Sequence, residues 1–217
     1  MGAFTVAIDG PAAAGKGTIG RFLAERFGFR HMDTGLLYRA VAKKLIDAGG
    51  EGEEAVRHIA ETLRIEDTEC EGLRSDLVSR ESSRIAAIPA VRAALLNLQR
   101  EFARRDGGAV LDGRDIGTVI VPDADVKLFV TASQDVRAGR RYLELARMGV
   151  DVSRKQVGEE LRKRDKRDSE RGLAALRRAS DSLLLDTSRL TIEQAASQAI
   201  EAVQRRLSTG LDSRPGE

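Results

Sequence analysis

The chain has 217 residues, and its 36 Lys and Arg against 34 Asp and Glu leave a formal charge of only +2. That length suits one domain, or one domain with small mobile insertions, and so small an excess of charge gives no electrostatic footprint for nucleic acid. Cys70 is the only cysteine, which excludes an internal disulfide. No apolar run is long enough to span a membrane, and the opening apolar stretch stops at Asp9, so a cytoplasmic, reducing setting is the default expectation.

In chain order, Phe4, Val6 and Ile8 alternate with Thr5 and Ala7 as in a buried parallel strand. Gly10-Pro11-Ala12-Ala13-Ala14-Gly15-Lys16 follows with the G-x-x-x-x-G-K spacing of a phosphate-binding loop. Small residues let the backbone curl until successive N–H groups converge on anionic oxygens, and the next helix adds its positive dipole end. Lys16 supplies a full charge that can reach the β- and γ-phosphates of a nucleotide. Gly17 stands where the strict pattern asks for Ser or Thr, so the hydroxyl is shifted to Thr18. A plain Gly-rich turn is the bland alternative. The ordered succession of strand, loop and amphipathic helix (Ile19, Phe22, Leu23, Phe27) favours phosphate binding.

Phe29–Met32 reads as a short strand, leading through Asp33-Thr34-Gly35 into a helix over about 36–48, with Thr34 at or near its N-cap. A helix follows around 53–63. The acidic stretch 64–72 reads as a turn or small hairpin, and 73–87 as helical. Pro89 suits the first position of the next helix. Ala109-Val110-Leu111 is a short strand that delivers Asp112-Gly113-Arg114-Asp115 at its C-terminal end. Val126–Val130 and Leu183–Leu185 complete the strands; Ser133, Ser153 and the Thr191–Gln194 capping box start helices. The final stretch, 208–217, reads as a loose tail. Strands alternating with helices predict a parallel sheet covered on both faces, with ligands at the C-terminal strand ends.

Arg39, Arg92, Arg114, Arg164, Arg167 and Arg171 are enough guanidinium groups to hold two phosphorylated ligands. The charged run 163–171 can equally decorate a solvated helix face, as its Arg164–Asp168 i,i+4 pair suggests. Arg164, Asp168 and Arg171 at i, i+4, i+7 would share one face, which a mobile helix could close over phosphates. Asp112 could orient a Mg²⁺-bound water or cap the next turn. His31 and His58 carry no spacing that suggests metal or triad chemistry.

IDGPAAAGKGT (8–18), MDTGLLYRA (32–40), SSRIAAIPAVRAALL (82–96), LDGRDIGTVIVPDADVKLFV (111–130), KRDKRDSERGLAAL (163–176) and LLDTSRLTIEQ (184–194) together resemble the bacterial cytidylate (CMP) kinases, within the nucleoside monophosphate kinases. The Gly17-Thr18 shift is usual there. The resemblance implies an α/β P-loop NTPase fold with a five-stranded parallel sheet, helices on both faces, a monophosphate-binding insert (about 35–105) and a lid (about 150–175). It implies transfer of a phosphoryl group from ATP to CMP and dCMP, with Mg²⁺ as cofactor. It places ATP phosphates on Gly10, Pro11, Ala12, Ala13, Ala14, Gly15, Lys16, Gly17 and Thr18. CMP falls to Thr34, Tyr38, Arg39, Ser83, Arg92, Arg114, Asp115, Arg164, Asp168 and Arg171, with Lys16, Arg114 and Arg164 acting on the transferring group. Metal contact is expected only through water, from Thr18 or Asp112. The segment 64–74 is too short for the family's inserted hairpin, which leaves the CMP-versus-dCMP preference open.

Two other readings remain: a kinase for another small acceptor (UMP, AMP or a non-nucleotide alcohol), and a P-loop module that switches with ATP or binds RNA through 162–171. Near-zero net charge and the lack of interleaved aromatics speak against RNA. With no heptad or exposed apolar stripe, a monomer is expected.

Overall fold

The computed structural model describes residues 3–212, with side chains to residue 209. Its strands are β1 (Thr5–Asp9), β2 (Arg30–Asp33), β3 (Ala109–Gly113), β4 (Val126–Thr131) and β5 (Leu183–Asp186), in the sheet order β2-β3-β1-β4-β5. The pairings of β1 with β3, β1 with β4 and β4 with β5 are parallel. The helices are α1 (Lys16–Phe27), α2 (Thr34–Asp47), α3 (Glu53–Glu61), α4 (Asp76–Ile85), α5 (Pro89–Ala103), α6 (Gln134–Arg147), α7 (Arg154–Ser169) and α8 (Ile192–Asp212). The chain divides into two compact units: residues 1–31 with 103–217, and residues 32–102.

The first unit is organised by the pleat of β1. Val6 and Ile8 face one side, where they join Val110, Leu128, Val130 and Leu185 from the neighbouring strands. Ile19 and Leu23 of α1, with Ala195, Ala199 and Val203 of α8, close this cluster. The side chains of Thr5 and Asp9 point to the other face. There the Thr5 hydroxyl donates to the Ala103 carbonyl at 2.8 Å, and Asp9 meets residues 116 and 117. A smaller apolar cluster (Ala138, Leu145, Val157, Leu161) joins α6 to α7.

In the second unit α2 packs on α3 and α4. Leu37, Val41 and Leu45 recur on one face of α2, and Val56, Val78 and Ile85 are buried on the other two helices. All are spaced at helical period, so one stripe per helix builds this core.

Cap chemistry sets most boundaries. Ser133 accepts from the Val136 N–H, Ser153 from the Gln156 N–H, and Thr191 and Gln194 bond reciprocally. At α2 the capping side chain is that of Asp33, which accepts from the Gly35 N–H at 3.0 Å; Thr34 is the first helical residue. The stretch read as a turn or hairpin contains a 3-10 turn at Ile65–Glu69 and no strand. Asp67 explains this: it accepts from its own Arg64 N–H and pairs with Lys44 of α2, which holds the short segment coiled. Cys70, just after that turn, is exposed. The expected tail is a correction in part. Helix α8 continues through 208–212, and 213–217 lie outside the described residues.

Candidate active site at the strand ends

Parallel register decides what emerges together. Asp9 at the end of β1 is paired with Gly113 of β3, so the loop beginning at Gly10 and the segment beginning at Arg114 leave adjacent strands side by side. Gly10 has φ +151, and a Cβ there would lie 1.9 Å from the Val130 carbonyl oxygen of β4. Only glycine lets the loop start this close to its neighbour. Ala13, at φ 59, is the one described non-glycine residue in the left-handed region, a strain of about 1 kcal/mol that the surrounding bonds must hold.

Those bonds come from beyond the loop. Arg137 of α6 donates to the Ala12 carbonyl at 3.3 Å. Arg140 donates to the Ala14 carbonyl at 3.3 Å, and the Thr187 hydroxyl donates to the same oxygen at 2.9 Å. These donors and Lys16 thus engage three of the loop's carbonyls. The buried Lys16 ammonium donates to the Pro11 carbonyl at 2.9 Å. Gly17 and Thr18 lie on the first turn of α1, where the Gly15 carbonyl accepts from Thr18 and Ile19.

The β3 end brings three groups of one cluster together. Asp168, near the end of α7, is 1% exposed and receives Arg114 Nε at 2.7 Å on one oxygen and Arg171 at 2.6 Å on the other. Burial alone would push its carboxyl up, but the charges of Arg114, Arg171 and Arg164 outweigh that and hold it below the ordinary carboxylate range. The expected single helical face for residues 164, 168 and 171 needs correction. Helix α7 ends at Ser169, and Arg171 reaches Asp168 from the turn after it. The arginines meet at the carboxylate because Asp168 gathers them, with no shared helix required.

Asp115, next in the chain, is buried and begins a π-helical turn over Ile116–Ile120, in which the Ile120 N–H bonds to the Asp115 carbonyl. At Asp112, His31 Nε2 lies 2.8 Å from Oδ2, so His31 has the carboxylate partner its spacing did not suggest. A Cβ added to Gly17 would lie 3.8 Å from the same oxygen, which puts Asp112 beside the first turn of α1.

Thr34, Tyr38, Arg39, Ser83 and Arg92 all fall in the second unit. Arg92 donates to the Tyr38 hydroxyl at 3.3 Å and lies 5.9 Å from its ring centroid. Arg39 donates to the Leu73 carbonyl, and Thr34 and Ser83 are buried at the start of α2 and in α4. Here a cation, a phenol and two hydroxyls belong to neighbouring helices.

Residues 6–205 match the family model described as cytidylate kinase. A curated cytidylate kinase of Cereibacter sphaeroides (strain KD131) is 58% identical over 96% of this chain and 99% of its own length. The chain belongs to the cytidylate kinase family. A second member, from Methylocella silvestris, is 53% identical over 92% of this chain and 93% of its own. Among solved structures, a gluconokinase from Sinorhizobium meliloti 1021 aligns with TM-score 0.53 at 14% identity, over 98% of both chains, a likeness of fold. The cytidylate kinase motifs account for the loop and its arginines. They contain Asp9 and Thr187 without assigning them a role, and they leave out Arg137 and Arg140; all four bond backbone groups far along the chain. Burial of a polar side chain marks Asp9, Arg137 and Thr187, and that is invisible in a sequence.

Proposed function

We propose that this chain transfers the γ-phosphoryl group of ATP to CMP and dCMP, giving ADP and CDP or dCDP. A CMP phosphate oxygen attacks the γ-phosphorus in line; the new P–O bond forms as the bond to the β-phosphate bridging oxygen breaks, and ADP leaves. Little covalent help is needed, so position and charge neutralisation carry the rate. Membership of the family, together with the register that releases the Lys16 loop beside Arg114, supports this reading.

On it, the amides of Gly10–Thr18 and the Lys16 ammonium hold the ATP phosphates, with Lys16 exchanging the Pro11 carbonyl for phosphate oxygens. Arg114, Arg164 and Arg171, already gathered at Asp168, neutralise the transferring group. Arg39 and Thr34 take the CMP phosphate side, and Tyr38 is fixed through its contact with Arg92. The insert of about 35–105 serves as the monophosphate-binding part and about 150–175 as the lid. The donor set fits Mg²⁺: one carboxylate, Asp112, beside the turn that carries Thr18, and no cluster of three ligating side chains among the described residues. A small cation that keeps most of its waters suits such a site, and when bound it would supply charge neutralisation to the phosphates. No described helix is long and apolar enough to cross a membrane. Free nucleotides as substrates favour the cytoplasm as the place of action.

Base choice falls to Asp115. A buried carboxylate accepts from the cytosine exocyclic amine and repels the uracil carbonyl at the same place, while Ser83 and Arg92 can donate to O2 and N3. An acceptor panel of CMP, dCMP, UMP and AMP with ATP and Mg²⁺ tests the function. CMP and dCMP should dominate; equal or better turnover of UMP or AMP would overturn the assignment. With Asp115→Ala, the CMP-over-UMP ratio of kcat/KM should fall at least about tenfold. An unchanged ratio removes the base-reading role from Asp115.

A further inference from the structure

Asp9 ends β1, is 4% exposed, and belongs to none of the ligand-holding groups assigned above. Its carboxylate accepts from the Ile116 N–H at 2.7 Å on Oδ1 and from the Gly117 N–H at 2.8 Å on Oδ2. These are the first two amides of the π-helical turn, directly after Arg114 and Asp115. Gly117 packs closely here: a Cβ there would sit 3.1 Å from the Lys127 side chain, tighter than ordinary packing, and 3.4 Å from Asp9 Oδ2, an ordinary contact.

We infer that Asp9 is a positioning residue for acceptor recognition: a buried carboxylate that clamps two consecutive amides and thereby aims Arg114 and Asp115. The inference rests on the reading of Asp115 and Arg114 as acceptor-binding groups. A two-point grip by one rigid side chain fixes both the height and the rotation of the turn, which a single bond would not do. An ionised carboxylate has acceptors on both oxygens. An amide, or a protonated acid, presents a donor to one of the two N–H groups, and the grip is halved. Bonds from N–H to a charged acceptor are also the stronger kind.

The charges facing Asp9 are known on each side. Asp115 repels it and Lys16 on α1 attracts it, while Lys127 on β4 lays its aliphatic stem beside Gly117 and pairs its ammonium with Asp181. Burial is the largest influence and pushes Asp9 up to about 6, against the lowering effect of the two amides. The clamp is therefore ionised at neutral pH and lost in mild acid.

Three measurements on the full chain test this. In Asp9→Asn, KM for CMP should rise roughly ten- to a hundredfold while KM for ATP stays within about twofold. A rise confined to ATP would make Asp9 a mere support of the adjoining phosphate loop, and no rise for either would leave it idle; both overturn the inference. The CMP phosphate itself titrates near pH 6, so the comparison is between parent and variant. Only the parent should show an extra loss of CMP affinity as pH falls through 6. If Asp9→Asn does not fold, the parent answers alone. The amide proton signals of Ile116 and Gly117 should titrate together near pH 6, and failure to do so overturns the clamp. Asp115→Ala separates the premises: an unchanged CMP-over-UMP ratio would strike the base-reading role, while the amide titration would still report the Asp9 bonds.

Discussion

Lys16→Ala should lower kcat by about a hundred- to a thousandfold while the protein stays folded. Lys16 is buried in the first turn of α1, and it donates to the Pro11 carbonyl within the same loop. Truncation removes a desolvated cation, whose burial opposes folding, so the loss of its contacts is partly offset. Transfer of the γ-phosphoryl group, by contrast, should lose on the proposed reading a charge that offsets the negative charge gained as the bridging bond breaks. Steady-state rates with saturating CMP and thermal unfolding in parallel check both halves. Near-parental turnover would remove Lys16 from the chemistry.

Asp168→Ala is expected to do the reverse and damage the fold as well as the rate. Asp168 receives Arg114 and Arg171 on separate oxygens at 2.7 and 2.6 Å. Removing it leaves two largely buried guanidinium groups without their counter-charge. Breaking a buried ion pair in this way costs about 3–5 kcal/mol, which for a chain of this size lowers Tm by roughly 6–20 °C. Proton linkage gives a second signature. The folded carboxyl is held below its ordinary value of 3.8, so its contribution is complete above about pH 4 and disappears as pH falls through the lower folded value. The stability gap between parent and Asp168→Asn should thus be constant above pH 4 and shrink in stronger acid. A gap that widened in acid, or a fully stable alanine variant, would show that the arginines find other partners.

Local signals made most of the architecture legible. Ser133, Ser153 and Thr191 act within three residues of where they stand, so a window on the sequence contains both partners of each cap. The phosphate loop is legible for the same reason. The unreadable parts are bonds whose partners are distant in the chain. Asp9 meets residues 107 and 108 positions away, and Thr187 reaches Ala14 across 173. No periodicity encodes such pairings; parallel strand register does. The 164–168–171 spacing anticipated the right residues by the wrong device, because a buried carboxylate can collect cations from a strand end, a helix and a turn alike. His31 was discounted for want of a nearby carboxylate, and it found one 81 positions on.

The lone exposed thiol at Cys70 makes the second unit easy to watch. Maleimide chemistry can attach one fluorophore, spin label or surface tether at a defined point without any mutagenesis. Titrating CMP and then ATP against that reporter would give the order of substrate addition in real time.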